Sequence, residues 1–281
     1  MIAGAATDIE LGHGGEPDIE NANIIAIDEE ILKTGKSVEQ LSSLIGEDEL
    51  KPNYNDDYDL GVSETIGRLV DTSKVIELEI IDPSVVAGKK GYRFVKRAFD
   101  IVSCSAALVI CAIPMAVIAI LVKADSPGPV FYKQERVGFN GNPVVVVKFR
   151  SMRVDAEKNG AQWAKDGDSR ITKIGGFLRR TRLDEIPQFA AVVKGDLSLV
   201  GPRPEREVFC REFERYIHGF SQRTMVKPGI TGLAQVNGGY DLLPAEKVLY
   251  DLDYIKRRSV GLDCQVILKT IGVLFSHKGA R

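Results

Sequence analysis

The sequence predicts a helix-dominated α+β protein with a re-entrant membrane helix, interfacial helices and a small β-hairpin. Three observations carry that reading. Residues 101–122, IVSCSAALVICAIPMAVIAILV, hold no charge over 22 residues. Residues 125–152 set turn signals around short β-rich runs. Later stretches, 205–220, 245–257 and 262–275, space apolar side chains at the helical period.

The uncharged run meets the length of a membrane helix, roughly 20 residues. It is not a simple span. Pro114 sits in its middle, where it removes a backbone hydrogen bond and bends a helix. Both flanks are basic: Lys89, Lys90, Arg93, Lys96 and Arg97 before it, Lys123, Lys133 and Arg136 after it. Positive charge tends to stay on the cytoplasmic side, so both ends belong on one face. A segment of this length cannot cross and return. A re-entrant helix broken at Pro114 satisfies both constraints.

After the run, the turn signals SPGP and FNGN lie among short β-rich runs such as PVVVVKF, which predicts a hairpin. In 205–220, Phe209, Phe213, Tyr216, Ile217 and Phe220 share one face and are expected to pack inward, with an interfacial helix as the rival. The stretch 262–275 is apolar enough to touch membrane. VIELEIID, 75–82, reads as a short strand.

Charge is unevenly spread. Residues 1–85 carry 20 acids and 5 bases, and residues 86–281 carry 19 acids and 32 bases. Most of 1–60 is expected to be disordered, since it buries too little apolar surface. The basic body favours an anionic membrane or phosphorylated substrates. Nucleic acid is not expected, because a 22-residue apolar run has no use there and the motifs lack interleaved aromatics. The four cysteines have no CxxC spacing, so neither a disulfide framework nor a zinc site follows and reduced thiols are expected. The N-terminus is acidic and does not read as a secretory signal.

RRTRLDEIPQ, 179–188, sets two acids side by side just after three arginines. Pro187 suits a first helical turn, which would put Asp184 at an N-cap or one residue inside. Such an end stabilises an anion and also binds phosphate. An ionised Asp184 can attack phosphorus, and Glu185 can hold Mg²⁺ together with substrate phosphates. Arg179 and its neighbours can neutralise phosphate oxygens. Taken alone, the pair is a weak signal, and a structural cap is the expected reading. GDLSLVGPRPE and KPGITGLAQVNGG follow, with Arg203 held between two prolines and Lys227 heading a rigid turn. Loops this rich in Gly and Pro bring backbone close to something, and a phosphate or nucleotide is the reading taken here. There is no P-loop, no GxGxxG and no HExxH. The DLD at 251–253 has the form of a sugar-nucleotide metal motif but falls in a helical pattern.

In order, KRAFDIV, DSPGPVFYKQERVG, KFRSM, RRTRLDEIPQ, GDLSLVGPRPE, KPGITGLAQVNG and DLDYIKRRSVGLD resemble the bacterial sugar transferases, the monotopic phosphoglycosyl transferases that prime exopolysaccharide, capsule or glycan assembly. The likeness runs from about residue 92 to 275. It implies transfer of a sugar 1-phosphate from a UDP-sugar to undecaprenyl phosphate with release of UMP. It implies Asp184 as the nucleophile that carries the phosphosugar, Glu185 as the Mg²⁺ ligand, and Arg179 and Arg203 as phosphate contacts. It also implies a place at the cytoplasmic face of the plasma membrane, in contact with lipid, and is compatible with a homo-oligomer. The resulting division is an acidic, largely disordered segment 1–88, a basic flank and re-entrant helix 89–123, and a transferase domain 124–281.

The chain departs from the family pattern in several places. Ala190 and Ala191 stand where Trp and Asn are usual, Gly239 where an Arg is common, and Ile113 where Ser often precedes the proline. These changes keep open a catalytically impaired adaptor of the assembly machinery. The DLD alone would support a soluble inverting glycosyltransferase.

Overall fold

A computed structural model describes residues 56–87, 89–158, 168–239 and 241–276. Of the stretch expected to be disordered, only 56–60 fall within that range, and they begin a helix. This helix, α1 (Asp56–Leu69), leads through β1 (Ile76–Glu77) and α2 (Pro83–Ala87) to α3 (Lys90–Ile110) and α4 (Ala112–Asp125). The short strand read at 75–82 is present as β1.

Together α3 and α4 contain the uncharged run. No single helix is long and apolar enough to cross a membrane, but the two form a pair bent by 60° that passes that test together. The bend falls at Cys111, one turn before Pro114. Its cause is nevertheless the proline. Without an N–H, Pro114 leaves the Ile110 carbonyl without its i+4 donor, and the ring sits comfortably in the first turn of α4. Most of the pair's apolar side chains face outward: Val109, Ile110, Ile113 and Ile120 are all at least 70% exposed.

The hairpin follows as β2 (Phe131–Val137) and β3 (Pro143–Phe149), antiparallel, with Phe131 opposite Phe149 and Val137 opposite Pro143. Asn140 and Gly141 take left-handed backbone in its loop, as FNGN demands. Next come α5 (Lys173–Thr181), a 3₁₀ turn at Leu183–Glu185, α6 (Gln188–Lys194) and β4 (Ser198–Val200). Then α7 (Glu207–Tyr216), β5 (Ile217–His218), a 3₁₀ stretch Phe220–Met225, β6 (Gly229–Thr231) and α8 (Leu233–Val236) lead to α9 (Pro244–Arg257) and α10 (Val260–Ser276). The helix expected over 205–220 stops at Tyr216, where the chain turns extended to pair β5 with β1 in parallel. The inward packing of its aromatic face holds: Phe209, Phe213, Ile217 and Phe220 are buried, and the Phe213 and Phe220 rings lie 5.2 Å apart.

These residues share one core with Val248, Tyr254 and Ile255 of α9 and Val266 of α10. Val62 and Ile66 of α1 enter the same core, with Leu78 and Ile81 that follow β1. Three side chains bolt the bent pair to the rest of the domain. Arg97 of α3 donates to the carbonyls of Val192 and Val193 at 2.6 and 2.7 Å, closing the end of α6. Asp100 accepts from the Ser198 hydroxyl of β4 at 2.7 Å. Arg150, at the end of the hairpin, donates to the carbonyl of Ser126 at 2.8 Å, just past α4.

The two Gly/Pro loops approach each other. β4 and β6 pair in parallel, and their loops cross backbone on backbone. A Cβ on Gly229 would lie 2.1 Å from the Gly201 nitrogen, and one on Gly201 would lie 2.5 Å from the Lys227 carbonyl oxygen. Glycine at both positions thus allows one loop to lie against the other. Lys227 is exposed and lies outside the cavity described below.

Candidate active site

Asp184 and Glu185 lie in the 3₁₀ turn between α5 and α6. This corrects the capping expectation: the residue preceding α6 is Pro187, and Asp184 is three residues earlier. The turn is set by Arg182, which closes α5 in left-handed backbone at φ 58° and donates its N–H to the Arg179 carbonyl. That conformation is costly for a residue with a Cβ, and here it redirects the chain so that both acids point inward. Helix α5 can reach this position because Gly175 packs on Ser151. A Cβ there would lie 2.0 Å from the Ser151 carbonyl oxygen.

Both acids are buried, at 6% and 8% exposure. Their partners differ. Glu185 Oε1 receives Lys148 at 2.8 Å and Arg203 Nη2 at 2.5 Å, while Arg203 Nη1 reaches Oε2 at 3.3 Å. Burial alone would raise its pKa, but the Arg203 and Lys148 charges outweigh burial and hold it well below the usual carboxylate range. Asp184 Oδ1 is buried with no hydrogen-bond partner among the described residues. Its pKa is pushed up to about 6, mainly by burial and further by the Glu185 charge, against the pull of Lys148, Arg179 and Arg203. At neutral pH, Glu185 is thus a fixed anion, and Asp184 is an ionised carboxylate with an unengaged oxygen.

Around the pair opens a cavity of about 410 Å³, the size of a small-ligand pocket. Arg179 and Arg203 line it with both acids, as expected from sequence. Arg182, a neighbour of Arg179 in the same cluster, lines it as well; so do Lys148, Arg136 and Arg170, which sequence reading did not single out for this site. Lys148 carried a signal that went unused. It follows Val144 and Val146 at every second position of a β-branched strand, so it stands on the face whose valines are buried. A lysine on that face needs a partner, and the partner is Glu185.

Among the other sequence candidates, Pro114 belongs to the bent pair and lies outside the cavity. The DLD sits in α9, as its pattern suggested. Asp251 pairs with Arg223 at 2.6 Å and Asp253 with Arg257 at 3.0 Å, and among the described residues no group of three or more His, Cys, Asp or Glu could hold a metal. All four cysteines are free. Ala190 is exposed, and Ala191 packs beside Val144, Val192 and Leu197. Neither lines the cavity, whereas Gly239 does.

Fold and site together define an α+β domain that holds a carboxylate pair in an arginine-lined cavity, with an apolar bent helix bolted to its scaffold. The chain belongs to the bacterial sugar transferase family, whose model matches residues 91–277. It is 41% identical over 225 residues to the UDP-N-acetylgalactosamine-undecaprenyl-phosphate N-acetylgalactosaminephosphotransferase of Aeromonas hydrophila, covering 78% of this chain and 52% of the relative. It is 42% identical over 193 residues to the UDP-glucose:undecaprenyl-phosphate glucose-1-phosphate transferase of Escherichia coli K12, covering 67% of this chain and 42% of the relative. With the UDP-galactose-lipid carrier transferase of Erwinia amylovora the identity is 37% over 219 residues, 73% of this chain and 45% of the relative. The chain thus spans about half the length of these relatives, and their names carry three different sugars.

Proposed function

We propose that this chain transfers a sugar 1-phosphate from a UDP-sugar to undecaprenyl phosphate, releasing UMP, through a covalent phosphosugar on Asp184. The observation that carries the proposal is the buried, unpartnered Asp184 Oδ1 in a cationic cavity. An anion kept from hydrogen bonding in such a place is a nucleophile that has already shed solvent. Arg179, Arg182 and Arg203 receive the diphosphate and bring the β-phosphorus to Asp184. The carboxylate oxygen attacks that phosphorus. The bond from the β-phosphorus to the bridging oxygen breaks, its electron pair stays on that oxygen, and UMP leaves. A phosphate oxygen of undecaprenyl phosphate then attacks the same phosphorus and frees Asp184. Glu185 cannot exchange roles with its neighbour, because Lys148 and Arg203 already engage it.

The residues present fit Mg²⁺. Glu185 Oε2 has a single long contact of 3.3 Å, leaving lone pairs for a hard cation, and Mg²⁺ is normally completed by one or two carboxylates plus substrate phosphates and water. Bound there, the ion would neutralise charge on the diphosphate.

The exposed apolar face of α3 and α4 supports a seat in the membrane. Basic residues at both ends support a re-entrant insertion at the cytoplasmic face of the plasma membrane, where a soluble anionic donor meets a phosphate on a lipid.

The test offers the chain a panel of UDP-sugars labelled in the β-phosphate, with Mg²⁺, and quenches in acid. Label should appear on the protein, be absent in Asp184→Asn, and leave when undecaprenyl phosphate is added. A wild-type chain that releases no UMP with any sugar would overturn the proposal and favour an adaptor.

A further inference from the structure

Arg223 and Asp251 are charged, buried and unused by the reaction as written. They come from the 3₁₀ stretch and from α9, and are 6% and 1% exposed. The Asp251 carboxylate stands 2.6 Å from Arg223 Nη2. The same nitrogen donates to the Arg203 carbonyl at 2.9 Å. The carbonyl takes the hydrogen bond, and the carboxylate holds the guanidinium as an ion pair. The Phe220 ring lies beneath, 4.9 Å from the guanidinium carbon. Ring, carboxylate and carbonyl together fix the guanidinium in one orientation.

The carbonyl held in this way belongs to the peptide between Arg203 and Pro204, which has no N–H, and prolines restrict the backbone on both sides. From that fixed backbone the Arg203 side chain reaches Glu185. A continuous line of contacts therefore runs from Asp251 through Arg223 and Arg203 to Glu185. For stability alone, an apolar pair of similar volume would fill the same space at least as well.

We infer that Asp251 and Arg223 are positioning residues: acting through the Arg203 carbonyl, they set where the Arg203 guanidinium, and with it the Glu185 carboxylate, stands beside Asp184. The inference rests on the proposed transfer, since it assigns a role within it.

A double-mutant cycle tests it on the full chain: Arg223→Lys, Arg203→Lys and both together, with kcat and KM for phosphosugar capture measured separately. Arg223→Lys should lower kcat about 10- to 100-fold, the usual effect of an outer-layer partner, and move KM little. The double variant should fall no further than Arg203→Lys alone. Losses that multiply would overturn the inference. If Arg223→Lys fails to fold, as judged by thermal unfolding, Asp251→Asn takes its place in the cycle. Hydrogen exchange gives a readout independent of activity. Amides at 201 and 205–206 should exchange faster in Arg223→Lys, while those of the hairpin stay unchanged. An unchanged loop would overturn the inference even where transfer is observed, whereas an inactive wild type with a loosened loop would overturn only the reaction.

Discussion

The cavity has two sides that treat the same chemical group in opposite ways. On the Glu185 side a lysine from the hairpin and an arginine from the GPRP loop clamp a carboxylate into a permanent anion. On the Asp184 side the same cations stand near but leave one oxygen without a hydrogen bond. Adjacent residues in one turn thus become a clamped charge and one with an unengaged oxygen. The difference comes from partners supplied by distant elements, and not from the two acids themselves.

Substitutions should separate the two sides. Asp184→Asn should lower phosphosugar capture by at least about a thousand-fold, in keeping with loss of a nucleophile, as read by β-phosphate label on the protein. Capture equal to wild type would erase the distinction. Glu185→Gln should cost about 3–5 kcal/mol of stability, because it strands Lys148 and Arg203 beside a neutral group in a poorly solvated place. Chemical denaturation at pH 7 would show it, and an unchanged midpoint would mean the clamp is idle.

The third expectation has the opposite sign. Asp184 ionises near pH 6 in the fold against 3.8 unfolded. The folded state therefore binds its proton more tightly, and the stabilisation this gives is complete below pH 3.8 and lost as pH rises through 6. Asn carries no such loss. Asp184→Asn should be about 1–3 kcal/mol more stable than wild type at pH 7, with the gap closing as pH falls from 6 towards 4. Capture by the wild type should climb over the same window as Asp184 ionises. The smallest effect belongs to Arg182→Gly. Relief of left-handed backbone should add up to about 1 kcal/mol of stability, while removal of a cavity-lining guanidinium raises KM for the UDP-sugar. A drop in stability would mean that the Arg182 side chain, and not its backbone, governs the turn.

Much of the frame was legible because its causes are local. FNGN after a β-rich run requires a hairpin, and the helical spacing of 245–257 and 262–275 was followed closely by α9 and α10. Pro114 announced a bend, and its missing N–H explains why the bend falls a turn earlier. What could not be read was long-range. Lys148 meets Glu185 across 37 residues. Asp251, offered as a metal ligand by its spelling, proved to be the counter-ion of Arg223. The acids were found but their setting was not, since a left-handed arginine turned what looked like a helix cap into a 3₁₀ turn. Helix α1 went unseen because its apolar positions, Val62 and Ile66, are few and gain their value only against α7 and its aromatic neighbours.

That last packing has a practical side. The family match begins at residue 91, yet Val62, Ile66, Leu78 and Ile81 plug the same hydrophobic interior as Phe209 and Phe213. A protein trimmed to the matched boundary would keep every residue that lines the cavity and still leave a greasy trench along α7 and β5, open to water or to a neighbouring molecule. Anyone shortening this chain should cut before residue 56.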